Sequence, residues 1–381
     1  MVEAVHLTPG VLAKDQLSEL IRRGRITTNT FGDPEVGASA IDLRLGKRAW
    51  RVKSGLRPTT RELGKIQAES DEVNLSGGKF HFEKGNIYLV ELAHHLQLPS
   101  NISGRATGKS SIGRLDVITR LITNATREYD LVTAGYNGPL HLLLVPQTFT
   151  IHVAPGASLN QLRLFCGSHT SATVKRQELR HYGVPFWWIL RHGKEHEYEE
   201  WDPPESLDPT DDPLQSDLTV DLGDKNSPHV YRALQGVTIP IDVAAKRSLA
   251  PEEFFERDSV DEKDRSIVLK QGSFYIMKSR ERLHIPDDVA VEVIAISERI
   301  GDIRIHYAGF AHPGFGLGER PTRKGTPLIF EVRATDMETK LYDASVLARI
   351  QLFRMSKRTE PDTSEYEKQE LKLSAVFKEW T

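Results

Sequence analysis

Gly85-Asn86-Ile87-Tyr88-Leu89-Val90-Glu91-Leu92 starts on a turn residue and continues as an apolar run of strand length. Its opening returns later in the chain. Lys84-Gly85-Asn86-Ile87-Tyr88 is answered by Gln271-Gly272-Ser273-Phe274-Tyr275, and Leu96-Gln97-Leu98-Pro99 by Leu283-His284-Ile285-Pro286. Leu159-Asn160-Gln161-Leu162-Arg163-Leu164-Phe165 is answered by Leu347-Ala348-Arg349-Ile350-Gln351-Leu352-Phe353. The order is kept and the offset is nearly constant, so the economical reading is one β unit present twice in tandem.

The rest of the chain agrees. Thr8-Pro9 reads as a helix N-cap with proline in the first turn, Leu17, Leu20 and Ile21 recur at helical spacing, and Gly24 offers a stop. After this short helix, Ala40-Ile41-Asp42-Leu43-Arg44-Leu45-Gly46 alternates as a strand does, and 140–145 is a continuous apolar run like a buried one. Gly and Pro then punctuate at short intervals, as in an all-β barrel or sandwich. Residues 193–217 are acidic and proline-rich, the best linker in the chain. His196, among glutamates there, reads as part of a solvated connector and not as a metal ligand, because no second ligand cluster stands nearby. The expected organisation is therefore one unit over 1–200 and another over 218–381.

Composition excludes several classes. A length of 381 residues suits two domains, and 39% hydrophobic content suffices for real cores. With 50 basic residues against 53 acidic ones, a broad nucleic-acid-binding surface is not expected. No apolar run approaches a membrane span, and Met1-Val2-Glu3 begins no signal peptide, so a soluble, cytoplasmic protein is expected. Cys166 is the only cysteine, which leaves no disulfide framework and no cysteine-built metal site. In Leu164-Phe165-Cys166 it reads as a packed thiol.

Two stretches carry chemistry. Gly108-Lys109-Ser110-Ser111-Ile112-Gly113-Arg114-Leu115 sets a cation, two adjacent hydroxyls and an arginine in a compact run. Backbone N–H groups and hydroxyls there can bond phosphate oxygens while Lys109 and Arg114 supply charge. It is not a P-loop, since G-x-x-x-x-G-K-[ST] does not occur, and an ordinary polar turn is the bland alternative. In the second copy, Ala308-Gly309-Phe310-Ala311-His312-Pro313-Gly314-Phe315-Gly316 is a loop of small and aromatic residues able to bring backbone against a flat ring. Leu328-Ile329-Phe330-Glu331-Val332 follows, with one carboxylate in an apolar strand. Buried, it acquires a pKa suited to a general base; on the wet face of an edge strand it is unremarkable.

These segments together resemble the dCTP deaminases of the trimeric dUTPase-like fold, in the long form that carries the unit twice. The opening helix with 38–46, the 108–115 run, the 308–316 loop with Glu331, and Tyr366-Glu367-Lys368-Gln369 with Leu371-Lys372-Leu373-Ser374 carry the likeness. It implies a mainly β protein of two tandem distorted, jelly-roll-like β-barrels with a few short helices. It implies hydrolytic deamination of dCTP to dUTP and ammonia. Glu331 would activate water for attack on C4 of cytosine, with Ser110 and Arg114 placing that water and handling the leaving ammonia. Lys109, Ser110, Ser111 and Arg114 would hold the triphosphate with its magnesium, and main-chain groups of Ala308, Gly309 and Phe310 would read the base. His312 would lie at the sugar or base, and Tyr366, Lys368 and Gln369 would belong to a tail closing over the nucleotide. Nucleotide partners (dCTP or dUTP) and a trimer-based homo-oligomer are implied as well. The zinc route of other deaminases requires H-x-E with P-C-x-x-C, which one cysteine cannot supply.

The departures from the family pattern are specific. His312 stands where the family usually has aspartate. This favours deamination over the alternatives on the same scaffold, a dUTP pyrophosphatase or a bifunctional enzyme; a non-catalytic nucleotide-sensing module is the third reading. The basic run Glu319-Arg320-Pro321-Thr322-Arg323-Lys324 reads as a surface loop, with a phosphate contact as the alternative. In the first copy the position matching Glu331 falls near Leu143. In the second, the match to Lys109-Ser110-Ser111 falls near Ala295-Ile296-Ser297-Glu298-Arg299, where only Ser297 and Arg299 echo it. One copy keeps the cradle and the other the glutamate. A composite site is therefore expected, within one chain or between chains, in preference to a self-sufficient second copy.

Overall fold

The structure is a computed structural model that describes residues 6–55, 63–74, 77–124, 126–174, 187–190, 198–200, 215–223, 230–296, 303–305, 309–316, 325–335, 337–360 and 370–380. It is mainly β with a few short helices. In the first unit one sheet runs in the order Val117–Ile122, Asn137–Pro146, Ile87–Gln97, Ile41–Val52, Ser158–Cys166, Ile102–Gly108, Leu131–Val132. This order folds the sheet around Leu43, Val90, Leu142, Leu162 and their neighbours, all fully buried.

The second unit repeats these pairings. Ser158–Cys166 lies between Ile41–Val52 and Ile102–Gly108; likewise Val346–Arg354 lies between Gln215–Thr219 and Val289–Ala295. Asn137–Pro146 pairs with Ile87–Gln97 as Thr326–Ala334 pairs with Phe274–Leu283. Leu131–Val132 joins Ile102–Gly108 as Phe310–Ala311 joins Val289–Ala295. The tandem duplication is thus visible in strand order and register.

Two local readings are corrected. The first helix is Lys14–Arg22, with Ala13 and not Thr8 at its N-cap. Gly10 and Val11 are instead strand, paired with Cys166 and Phe165, so the helix waits until the chain leaves the sheet edge. Its first turn is closed by Gln16, whose side chain accepts from the Ala13 N–H at 2.9 Å. The predicted stop holds: Gly24 sits at φ +67 just past the helix. Second, the acidic stretch is not all connector. Its Tyr198–Glu200 is a strand on Trp187–Leu190, and Gln215–Thr219 is a strand on Val346–Arg354, while His196 lies outside the described residues.

Part of the segment 371–377 enters the core. Leu371, Leu373, Val376 and Phe377 are buried among side chains of the first unit, together with Phe254, Phe255 and Ile276. Phe377 meets the rings of Phe254 and Phe255 at 5.3 and 5.5 Å. Burying an aliphatic or phenyl side chain contributes about 1.5–3 kcal/mol, so this segment is a substantial part of the first unit's stability.

The two units also meet through repeat-related strands. Phe165 and Phe353 occupy the same place in their copies, and their rings touch edge-on at 5.3 Å in a small cluster with Val11, Ala172 and Met355. Gly10 sits at this seam; a Cβ there would lie 2.6 Å from the Ser356 nitrogen. Cys166, close by, is buried, with its thiol pushed up by burial. No helix among the described residues is long and apolar enough to cross a membrane.

Candidate active site

The 108–115 run forms a strand end, a single turn of helix and a reversal. Lys109 is extended and its N–H bonds the Leu159 carbonyl at 3.0 Å, which fixes the helix start against the sheet. Ser110–Gly113 is helical, and buried Ile112 and Leu115 anchor it from below. Ser110 and Arg114 are four residues apart, so this turn stacks them on one side. Arg114 Nε donates to Ser110 Oγ at 3.2 Å.

Glu331 arrives from the other unit of the same chain. Glu331 lies in Thr326–Ala334, a strand paired with Phe274–Leu283 on one side and, from Val332 onward, with Ile303–Ile305 on the other. It is 7% exposed, and Ile276, directly opposite it, packs into the first unit's core. The carboxylate therefore projects at the motif helix. Ser110 Oγ donates to Glu331 Oε1 at 3.3 Å, and Arg114 Nε lies 3.9 Å from the same oxygen. Because Arg114 donates to the Ser110 oxygen, the hydroxyl proton is directed at Glu331. Gly113 permits the approach: a Cβ there would sit 3.2 Å from the Glu331 carboxyl carbon. A narrow cleft runs along this contact, lined by Gly108–Ser110, Gly113, 117–119, Gly309 and Glu331, with room at its floor for about one water molecule.

The other expected residues divide. Lys109 lines the cleft, but its Nζ is paired with the carboxylate of Asp42, whose burial pushes that carboxyl up. Ser111 turns its carbonyl to the Ser374 hydroxyl at 2.8 Å. Arg114 also reaches the tail, donating from Nη1 to the carbonyls of Lys372 at 3.1 Å and Leu373 at 3.4 Å. Gly309 enters the lining, while Phe310 and His312 stand behind it. His312 Nδ1 is 3.0 Å from the hydroxyl of Ser39 in the first unit. Burial, with the nearby Arg163 and Lys109, pushes its pKa down to about 3, so it is neutral at any ordinary pH. Ala308, Tyr366, Lys368 and Gln369 lie outside the described residues, as do Ser297, Arg299 and 319–324.

Sequence reading missed Arg163. It is fully buried, and burial pulls it down to about 9. From the first unit it donates to the carbonyls of Val291 at 2.9 Å and Ala311 at 3.3 Å, with its guanidinium 3.9 Å over the Phe310 ring. It thus clamps the loop that carries Gly309. Its signal was available: a cation inside the apolar run Leu162-Arg163-Leu164-Phe165, the mirror of the glutamate inside Leu328-Ile329-Phe330-Glu331-Val332. Asp42 and Ser39 gave no comparable signal, because their partners come from distant segments.

Comparison with known proteins places this arrangement. Residues 8–168 match the domain family described as 2′-deoxycytidine 5′-triphosphate deaminase (DCD) N-terminal domain, and residues 207–377 match the corresponding C-terminal domain. A protein of Corynebacterium kroppenstedtii named dCTP deaminase, dUMP-forming, is 29% identical over 168 residues, 43% of this chain and 85% of that protein. A Mycobacterium tuberculosis protein of the same name is 31% identical over 155 residues, 40% of this chain and 78% of the relative. A crystal structure of 2′-deoxycytidine 5′-triphosphate deaminase from Agrobacterium tumefaciens superposes with a TM-score of 0.79 at 29% identity, covering 92% of this chain and 97% of that one.

Proposed function

The chain belongs to the 2′-deoxycytidine 5′-triphosphate deaminase family, and from that membership we propose that it hydrolyses the 4-amino group of dCTP, releasing ammonia and leaving dUTP. The observation that carries this reading is the buried Ser110–Glu331–Arg114 contact within one chain. In the proposed step Glu331 takes a proton from a water as its oxygen bonds C4 of the cytosine. Glu331 passes that proton to N3 as the C4=N3 bond opens, then carries the proton of the new C4 hydroxyl to the amino nitrogen; C4=O forms, the C4–N bond breaks and ammonia leaves. Ser110, oriented by Arg114, holds the carboxylate and the attacking water in line. Main-chain groups of Ala308, Gly309 and Phe310 take the base. Lys109, Ser110, Ser111 and Arg114 take the triphosphate, which brings its magnesium as part of the substrate, and Tyr366, Lys368 and Gln369 close on it. No second chain is needed to bring cradle and glutamate together.

The relatives' names favour a second reading in which the product continues to dUMP. Against it stands His312. Burial lowers the basicity of its ring and Nδ1 is engaged by Ser39, so it is a poor replacement for a carboxylate base at the phosphate. The test is to incubate purified protein with dCTP and resolve ammonia, dUTP, dUMP and pyrophosphate. Ammonia and dUTP are expected in equal amounts, with activity that survives a zinc-selective chelator and falls when magnesium is withdrawn. Pyrophosphate release would establish the dUMP reading, and binding without turnover would establish a sensor.

A further inference from the structure

Asp116 and Arg333 play no part in the chemistry above, yet each lies two residues from a member of it. Asp116 follows Arg114 where the chain reverses out of the motif helix. It is fully buried and its φ is +57, a conformation that costs energy for any residue other than glycine. Arg333 follows Glu331 on the same strand, and residues two apart in a strand share a face. Its guanidinium is held at both ends. Nη1 donates to the Gly272 carbonyl at 2.6 Å, and Nη2 donates across the unit boundary to the Asp116 carboxylate and, at 2.7 Å, to Thr148 Oγ1. The Thr148 hydroxyl in turn donates to Asp116. The Gln147 N–H bonds the Asp116 carbonyl at 2.9 Å, so main chain fixes this position as well.

We propose that Asp116 and Arg333 are a positioning pair that sets the separation of Glu331 from Ser110 and Arg114. This rests on the deaminase reading of that site. Three observations bear on it. With Asp116 buried and Arg333 half-buried, the ion pair is a poor source of stability compared with apolar residues of the same volume, but it favours one register. The pair joins the two elements that carry the reacting groups, one step along from each, so a slip of either unit breaks both contacts together. Asp116 also accepts a backbone conformation in which glycine would rest without strain, and its carboxylate is what that conformation delivers to Arg333.

The experiment compares Asp116→Gly, Arg333→Met and their double variant with wild type, reading kcat and KM for dCTP well below the unfolding temperature, and thermal unfolding separately. Glycine suits φ +57, so Asp116→Gly removes the carboxylate without backbone strain. Each single variant is expected to lose about 10–100-fold in kcat with KM changed by less than about threefold, as for an ångström-scale displacement of reacting groups. The double variant should be no worse than the poorer single. Thr148→Val, which deletes only the shared hydroxyl and leaves both charges paired, should fold as wild type and lose about two- to fivefold in kcat through the loosened pair. Variants that melt earlier but keep wild-type kcat, losses that multiply in the double variant, or a fully active Thr148→Val protein would each overturn the proposal. A wild type that releases no ammonia from dCTP would overturn the deaminase reading and this proposal together, whereas an active wild type with unaffected variants overturns the proposal alone.

Discussion

Leu143 and Glu331 hold the same position in two copies of one strand pairing. Leu143 stands opposite Leu89 and Glu331 opposite Ile276, and Leu89 and Ile276 are themselves repeat partners. Around Leu143 the first unit has sealed the face: Trp50, Val52, Leu89 and Ile122 pack there, and Leu63 and Ile66 of the short helix Leu63–Ala68 cover it. In the second unit the same face is laid against the motif helix of the first. The two copies thus carry complementary features, an apolar cluster at Leu143 in one and a carboxylate at Glu331 in the other, and the carboxylate meets the motif helix inside one chain.

The largest expected effect is at the glutamate. Glu331→Gln keeps the shape and removes the base, so kcat should fall about 10²–10⁴-fold while equilibrium binding of dCTP stays within a few-fold. Co-expressed with Arg114→Ala in the same cells, it should recover nothing, because each chain then holds one broken site. Recovered activity in mixed protein would move the working site to a boundary between chains.

Next is the attempt to restore what the first unit lost. Leu143→Glu places a carboxylate in a sealed apolar cluster and should cost about 3 kcal/mol of stability, with no second nucleotide bound per chain. Thermal unfolding and a binding titration check both. A gain in stoichiometry would show that the first unit's face is still a functional half-site.

The smallest effect concerns a second pair of repeat positions. The offset that relates Gly85 to Gly272 relates His94 to Glu281, and both are buried. Burial pushes Glu281 up to about 7 and His94 down to about 4, so in both copies the surroundings disfavour the charged form at this position. Between about pH 4.5 and 7 the folded chain holds the Glu281 proton that the unfolded chain releases, so stability falls as pH rises through that window. Between about pH 6.5 and 4 the unfolded chain protonates His94 and the folded chain does not, so stability falls as pH drops. Between about pH 4.5 and 6.5 the two contributions oppose each other, so Glu281→Gln should leave stability rising with pH there and His94→Gln should leave it falling, each change amounting to up to about 3 kcal/mol. Urea unfolding at several pH values measures this; slopes unchanged from wild type would mean that neither group is the source.

What the sequence made legible follows from what periodicity and spacing encode. The repeat was readable because strand ends, turns and apolar runs are local. The Ser110 to Arg114 spacing was readable because one helical turn fixes it. Glu331 announced itself by breaking an apolar strand. Whether the glutamate meets the cradle of its own chain or of another was not readable, since Ser110 and Glu331 lie far apart in the chain and no local pattern sets their distance. The packing of 371–377 was unreadable for the same reason: only the three-dimensional neighbours Phe254, Phe255 and Ile276 show that Leu371 and Leu373 are core. Thr8 had the right chemistry for a cap, but pairing of Gly10 and Val11 at the sheet edge decided where the helix begins.

The packing of 371–377 has a consequence for biosynthesis. Chains emerge N-terminus first, and domains usually fold as they are completed. Here the first unit is synthesised early, yet Arg114 lacks its carbonyl acceptors and the first core lacks Leu371, Leu373 and Phe377 until the end of the second unit has been made. The growing chain must therefore carry an unfinished barrel through most of translation, and the surroundings of Arg114 are completed only when the last-made segment returns to the first-made half.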